Sequence, residues 1–256
     1  MKPAPNSPLP DAPAAPRALW LVIAAFVILA ATYSVITPAF ETPDEIWHYA
    51  FVQHLATGQG LPVSAAGTQA LWQQQGVQAP GYYLAAAALT AWIDQSDFPA
   101  VYARANPHRA IGRPDAAANR NYLIHHRDEQ WPWRGSILAL HVARLFSVLL
   151  GAVTLWASYQ AAARIVAPRQ ALAGVAVFAF IPQFIFISAA ASNDNAVNAL
   201  AALTLWRLAV LVNPGGERAE AGLQGRSLRR GFLLLGVLLG LAALSKLSAL
   251  GLFGLA

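Results

Sequence analysis

The chain is 256 residues long, 57% hydrophobic and only 11% charged, with a formal net charge of +5. Soluble domains carry about 25% charged residues, so the deficit points to a polytopic membrane protein. The lack of cysteine excludes disulfides, zinc–thiolate centres and thiol nucleophiles. The arginines are scattered rather than set in the aromatic-studded basic stripe of a nucleic-acid binder.

In chain order, the Pro- and Ala-rich residues 1–17 lack apolar periodicity and read as a disordered cytoplasmic tail. Ala18–Thr37 is an apolar run of about 20 residues, the length that crosses a bilayer. Its exit, Thr37-Pro38-Ala39-Phe40, lacks a cleavage pattern and marks an uncleaved anchor. Residues 38–135 form a long extracytoplasmic loop. Within it, Tyr82–Ile93 is apolar but too short to span, and Asp94 and Asp97 stop it.

Further spans are expected at about Ser136–Ala161, Ala171–Ala190, Ala196–Val212 and from Phe232 onward. The predicted fold class is therefore all-α, a transmembrane bundle of about five spans over residues 18–256, with short juxtamembrane helices in its first loop. The last apolar segment reaches Ala256 without a polar flank, so the chain is expected to be the amino-terminal part of a longer bundle. Lys2, Arg17, Arg164, Arg169, Arg207, Arg218, Arg226, Arg229 and Arg230 all fall on one side of this drawing. By the positive-inside rule that side is cytoplasmic, and Glu41, Asp44, Glu45 and Asp194 share the outer face of a bacterial inner membrane.

The segment Glu41-Thr42-Pro43-Asp44-Glu45-Ile46-Trp47-His48-Tyr49 puts three carboxylates and a histidine at the mouth of the first span. Charge near hydrocarbon is costly, so clustered acids there call for a reason. Capping is one: Thr42 as cap, Pro43 at the first helical position, Asp44 and Glu45 in the first turn. On such a helix Asp44 and His48 share a face, and Glu45 points about 100° away. Asp194, in the turn Ser192-Asn193-Asp194-Asn195, brings another carboxylate to the same side, although turn chemistry alone explains those residues. Asp44 and Asp194 could bind a divalent cation through oxygen, or one could deprotonate an acceptor hydroxyl.

Arg144 and Lys246 fall inside the second and fifth expected spans, where a cation snorkels to the interface, pairs with a carboxylate of the bundle, or binds phosphate. Tyr82 and Tyr83 follow the Pro80-Gly81 turn as interfacial aromatics, and Trp131 and Trp133 read as anchors near the second span. His125 and His126 read as solvated loop residues.

Taken in order, these pieces resemble a family. Pro43-Asp44-Glu45-x-x-His48-Tyr49 is similar to the acidic signature after the first span of GT-C-type glycosyltransferases, such as protein O-mannosyltransferases and lipid A aminoarabinose transferases. Gly58-x-Gly60-Leu61-Pro62 resembles the G-x-x-P that follows it. Gln78-Ala79-Pro80-Gly81-Tyr82-Tyr83 resembles Q-P-P-L-Y-Y, with Ala79 and Gly81 as departures. Arg144-Leu145-Phe146-Ser147 through Gly151 is similar to R-L-x-S-x-L-x-G. Pro182-Gln183-Phe184 followed by Ser192-Asn193-Asp194 resembles the third span and second acidic loop. Gly240-Leu241 through Ser245-Lys246 resembles G-L-x-x-x-T-K.

The resemblance implies transfer of a sugar from a polyprenyl-phosphate donor to a glycan, lipid or protein acceptor at the outer face. Asp44, Glu45 and Asp194 would be the catalytic carboxylates. His48, Tyr82, Tyr83, Arg144 and Lys246 would contact substrates, with a divalent cation at Asp44 and Asp194 if one is used. The alternative is a non-catalytic membrane protein, a transporter segment or envelope scaffold, whose acids would open to a midplane cavity.

Overall fold

A computed structural model describes residues 16–63, 67, 70–107, 120–212 and 226–255. Residues 1–15 of the expected tail and the loop following Val212 lie outside them.

The first span is α1 (Arg17–Ile36). Leu19, Ile23, Phe26, Ala30 and Ser34 recur every three or four residues and form its buried stripe. Leu21, Ile28 and Ile36 on other faces are exposed, as suits a helix bounded by lipid. Pro38 ends the helix by forcing Thr37 into extended geometry, φ −66° and ψ 118°.

Three short helices follow in the first loop: α2 (Glu45–Ala56), α3 (Gly81–Thr90) and α4 (Phe98–Tyr102). They close over an aromatic core in which Phe40, Tyr49 and Phe98 meet with ring centroids 5.0–5.9 Å apart. Phe51 stacks on Tyr83 at 4.1 Å. The short apolar helix expected at Tyr82–Ile93 is thus present, three residues shorter at its end.

The long helix α5 (Gly135–Ala162) starts where Asp97 accepts hydrogen bonds from the Ser136 backbone N–H (2.9 Å) and hydroxyl (2.7 Å). A carboxylate there satisfies an orphan donor and complements the helix dipole. Gly135 adopts φ +54°, and a Cβ on it would lie 2.3 Å from the Asp97 carboxylate, so glycine lets the cap approach. Ala143, Ser147, Gly151 and Thr154 make a small-residue seam along α5. A Cβ on Gly151 would lie 2.8 Å from Phe26 of α1, the close approach that holds helices together in lipid.

The third expected span is not one straight helix. It is α6 (Pro168–Ala179) and α7 (Pro182–Ser188), bent by 67°. Pro182 has no N–H to offer the preceding turn and holds Ile181 extended at ψ 120°. The last two spans are α8 (Asp194–Val212) and α9 (Arg226–Ser245). A 3-10 helix, Leu247–Leu255, replaces the expected continuation of α9. Lys246 therefore lies at the end of α9 and not inside a span.

Among the described residues, four helices are long and apolar enough to cross a membrane, and the bent pair makes a fifth if it counts as one span. No strand occurs among the described residues. The chain is the all-α polytopic bundle that its hydropathy predicts. Alternating helix directions bring the end of α1, the starts of α5 and α8, and the end of α9 to one end of the bundle. Arg17, Arg164, Arg169, Arg229 and Arg230 sit toward the other.

Candidate active site

The three acids of the first loop have three different surroundings. Glu41 accepts the backbone N–H groups of Tyr122 (2.8 Å) and Leu123 (3.1 Å), and its Oε1 lies 2.9 Å from His125 Nε2. His125 Nδ1 meets Glu129 at 2.7 Å, and Arg104 joins Glu129 to Asp128. His125 is therefore a network member, not the solvated residue its sequence context suggests.

Glu45 is fully buried. Its Oε1 accepts from Arg144 Nε (2.8 Å) and from the Ala191 backbone N–H (2.9 Å). Its Oε2 accepts from Arg144 Nη2 (2.6 Å) and the Thr42 hydroxyl (3.2 Å). Arg144, also fully buried, donates further to the carbonyls of Ser34 and Thr37 (both 2.8 Å) and Pro38 (3.0 Å). These bonds use all five guanidinium N–H groups. The expected phosphate contact at Arg144 gives way to a structural one, because no donor is left over. Glu45 is likewise a buried anchor rather than a second reactive carboxylate.

Asp44, between these two anchors, is the exposed one. It is the N-cap of α2 at φ 60°, ψ −1°, and its side chain makes no capping bond. The helix thus starts two residues later than Thr42-Pro43 capping would set it. Left-handed geometry is tolerated by Asp yet strained, and it persists where flanking structure holds it. Here the flanks are Glu41 and Glu45. Asp44 and His48 are one turn apart, as expected, since His48 N–H donates to the Asp44 carbonyl at 3.0 Å.

Asp194 opens α8 and pairs with Lys246 at the end of α9, Oδ1 to Nζ 2.5 Å. Ser192 Oγ lies 3.3 Å from Asp194 Oδ2. This pair is partly open, with side chains 38% and 29% exposed. Asn193 fastens the same turn to α9 by donating to the Ser245 carbonyl at 3.2 Å. Asn195 pins it internally, with donations to Ile187, Ala190 and Ser192 carbonyls.

Tyr83 and His48 connect the two acidic turns. Tyr83 Oη lies 2.7 Å from His48 Nδ1. Burial pushes the His48 pKa down to about 4, against the upward pull of Asp194 and Asp44. Burial raises that of Tyr83, and Tyr82 and Asp194 raise it further. At neutral pH the tyrosine thus donates to a neutral imidazole, whose own proton sits on Nε2. Tyr82 faces away, bonding Ser147 Oγ at 2.9 Å in full burial. Burial raises its pKa too, so it is a packing hydroxyl between α3 and α5.

Asp44, His48, Tyr83, Asp194 and Lys246 therefore gather at one end of the bundle. Glu45, Tyr82 and Arg144 support them from beneath. Among the described residues no group of three or more His, Asp or Glu side chains is arranged to hold a metal ion, and Lys246 already neutralises Asp194. Sequence reasoning missed the Glu41–His125–Glu129 network and the role of Thr42. The signal for the first was weak, two histidines among mixed charges some eighty residues from their partner.

Residues 137–256 fit the sequence pattern of the dolichyl-phosphate-mannose-protein mannosyltransferase family. No curated protein and no solved structure matches the chain. The matched stretch holds α5 to α9, with Arg144, Asp194 and Lys246, and leaves the first acidic turn outside. Over residues 137–256, somewhat under half of its length, the chain is thus similar to this family, which comprises membrane glycosyltransferases of the GT-C type.

Proposed function

We propose that the protein transfers a sugar from a polyprenyl-phosphate donor to an acceptor hydroxyl at the membrane surface that bears Asp44 and Asp194. The observation that carries this reading is the selective presentation of Asp44. Of three neighbouring acids, two are consumed by structural bonds, and the third is left exposed beside His48. The family description, with its dolichyl-phosphate-mannose donor and protein acceptor, supports a lipid-phosphate donor.

The acceptor oxygen attacks the anomeric carbon, and Asp44 takes its proton. The bond from that carbon to the phosphate oxygen breaks, and the lipid phosphate leaves with the electron pair. Lys246 stabilises the departing charge as a point cation. Neutral His48 offers its Nε2–H to an oxygen of either substrate. The position of the carboxylates at the bundle end supports a surface enzyme over a midplane transport cavity. The arginines at the opposite end support, through the positive-inside rule, an outer-face site.

Asp44→Asn tests the assignment. Loss of general-base assistance lowers transfer by about 10²–10⁴-fold. Expression and helical content stay at wild-type levels, because Asp44 makes no side-chain cap bond. Undiminished transfer by the variant would remove Asp44 from the mechanism.

A further inference from the structure

Beside the acidic turn lies a cavity of about 610 Å³ lined by Ile46, Trp47, Gln73, Tyr102, Asn106 and Tyr122, among others. Its size falls in the ordinary range for small-ligand sites, about 300–1,000 Å³. Among the described lining residues stand three aromatic rings and two carboxamides, and none of them carries a charge. Trp47 sets its ring edge-on to Tyr122, with centroids 5.9 Å apart at 88°.

The hydrogen bonding is directional. Tyr102 Oη accepts from Trp47 Nε1 (3.2 Å) and from Gln73 Nε2 (2.9 Å). With those two bonds accepted, its O–H proton is left for an acceptor in the cavity. Gln73 donates with its amide nitrogen, so its amide oxygen faces the reverse role, that of acceptor. Gln73 is also held at φ +41°, a backbone geometry a non-glycine residue keeps only where the surroundings hold it. A donor and an acceptor set against aromatic surface fit a ring that is apolar on its faces and hydroxylated at its rim. The uncharged side chains described in that wall disfavour a phosphate, a uronate or a charged peptide.

We infer that this cavity binds a neutral saccharide and that the acceptor presented to Asp44 is itself a glycan. Trp47 N–H donates to the Asp44 carbonyl at 3.0 Å, so the cavity begins one helical turn from the exposed carboxylate. A sugar seated against Trp47 lies next to the group that would deprotonate its neighbour's hydroxyl. The glycan-acceptor part rests on the transfer reaction proposed above, whereas saccharide binding stands independently of it.

The test is saturation-transfer NMR on the full chain in nanodiscs, with methyl α-D-mannopyranoside and maltose as neutral probes. Glucuronic acid and the peptide Ala-Ser-Ala serve as contrasts. The expected result is saturation of the neutral saccharides alone, weakened at least tenfold by Trp47→Leu and by Gln73→Gly. The glycine substitution removes the amide and suits the positive φ, so it leaves the fold intact where Trp47→Leu disturbs packing. No saccharide signal, equal signals in both variants, or preferential saturation of the peptide would overturn the inference. Saccharide binding that survives Asp44→Asn while transfer is lost supports both claims. Saccharide binding by a wild-type protein that transfers no sugar overturns the reaction and the glycan-acceptor role, and leaves the binding site.

Discussion

Two carboxylate–cation pairs stand at the same end of the bundle and differ in almost every physical respect. Glu45–Arg144 is sealed, with both side chains at 0% exposure and every guanidinium N–H engaged. Asp194–Lys246 is one contact between partly exposed groups, with two ammonium hydrogens to spare. A sealed pair holds a backbone in place and cannot take a ligand without unfolding. In the reaction proposed above, the open pair exchanges its carboxylate for an incoming phosphate. Both pairs would look alike as charges near a membrane, but only the second is open to solvent.

The largest effect should come from breaking the sealed pair. Arg144→Leu leaves Glu45 buried without its cation and should cost about 3–5 kcal/mol, seen as loss of folded protein in detergent. The double variant Arg144→Leu/Glu45→Leu should recover much of that loss. No recovery would mean that the carbonyl bonds of Arg144, not the ion pair, carry its contribution.

His48 comes next, because it lies within the field of both pairs. Its pKa is about 4 in the folded protein against 6.5 unfolded, so the unfolded state binds more protons between those values. Stability attributable to His48 is full above about pH 6.5 and falls as pH drops toward 4, by up to roughly 3 kcal/mol. Thermal unfolding from pH 7 to 4 should therefore be steeper in the wild type than in His48→Gln. Equal slopes would place the acid sensitivity elsewhere.

Opening the second pair should be milder for the fold and selective for the donor. Lys246→Ala should raise the donor KM by about 10–100-fold with Tm shifted only slightly, as befits a partly exposed pair. A wild-type KM would return Lys246 to a purely structural role. The smallest effect expected is at Gly81, where a Cβ would lie 2.7 Å from the Leu244 carbonyl. Gly81→Ala should cost about 1 kcal/mol by pushing α3 from the end of α9. A Tm unchanged within error would show that this junction yields freely.

Hydropathy and length made the spans legible because each is a local property of some twenty residues. The bend in the third span had a local cause as well, Pro182, whose effect is visible only against the length of the segments on either side. Lys246 was misplaced because apolar residues run on past it, and hydropathy does not register where a helix changes to a 3-10 turn. The partnership of Glu45 with Arg144 spans 99 positions, and no periodicity links residues so far apart. For the same reason, sequence could place Asp44 and Glu45 in one cluster but could not tell the presented acid from the buried one.

The four bonds accepted by Glu45 also set an order of assembly. Its partners lie at its own turn, at Arg144 and at Ala191, so the last of them leaves the ribosome 146 residues after Glu45 itself. Until Arg144 emerges, 99 residues after Glu45, the first loop carries an unneutralised carboxylate that the nascent chain must keep hydrated, and the Ala191 N–H completes the set of bonds only later. The loop that presents Asp44 is therefore delivered to the membrane surface open and locked late, once most of the bundle has been inserted.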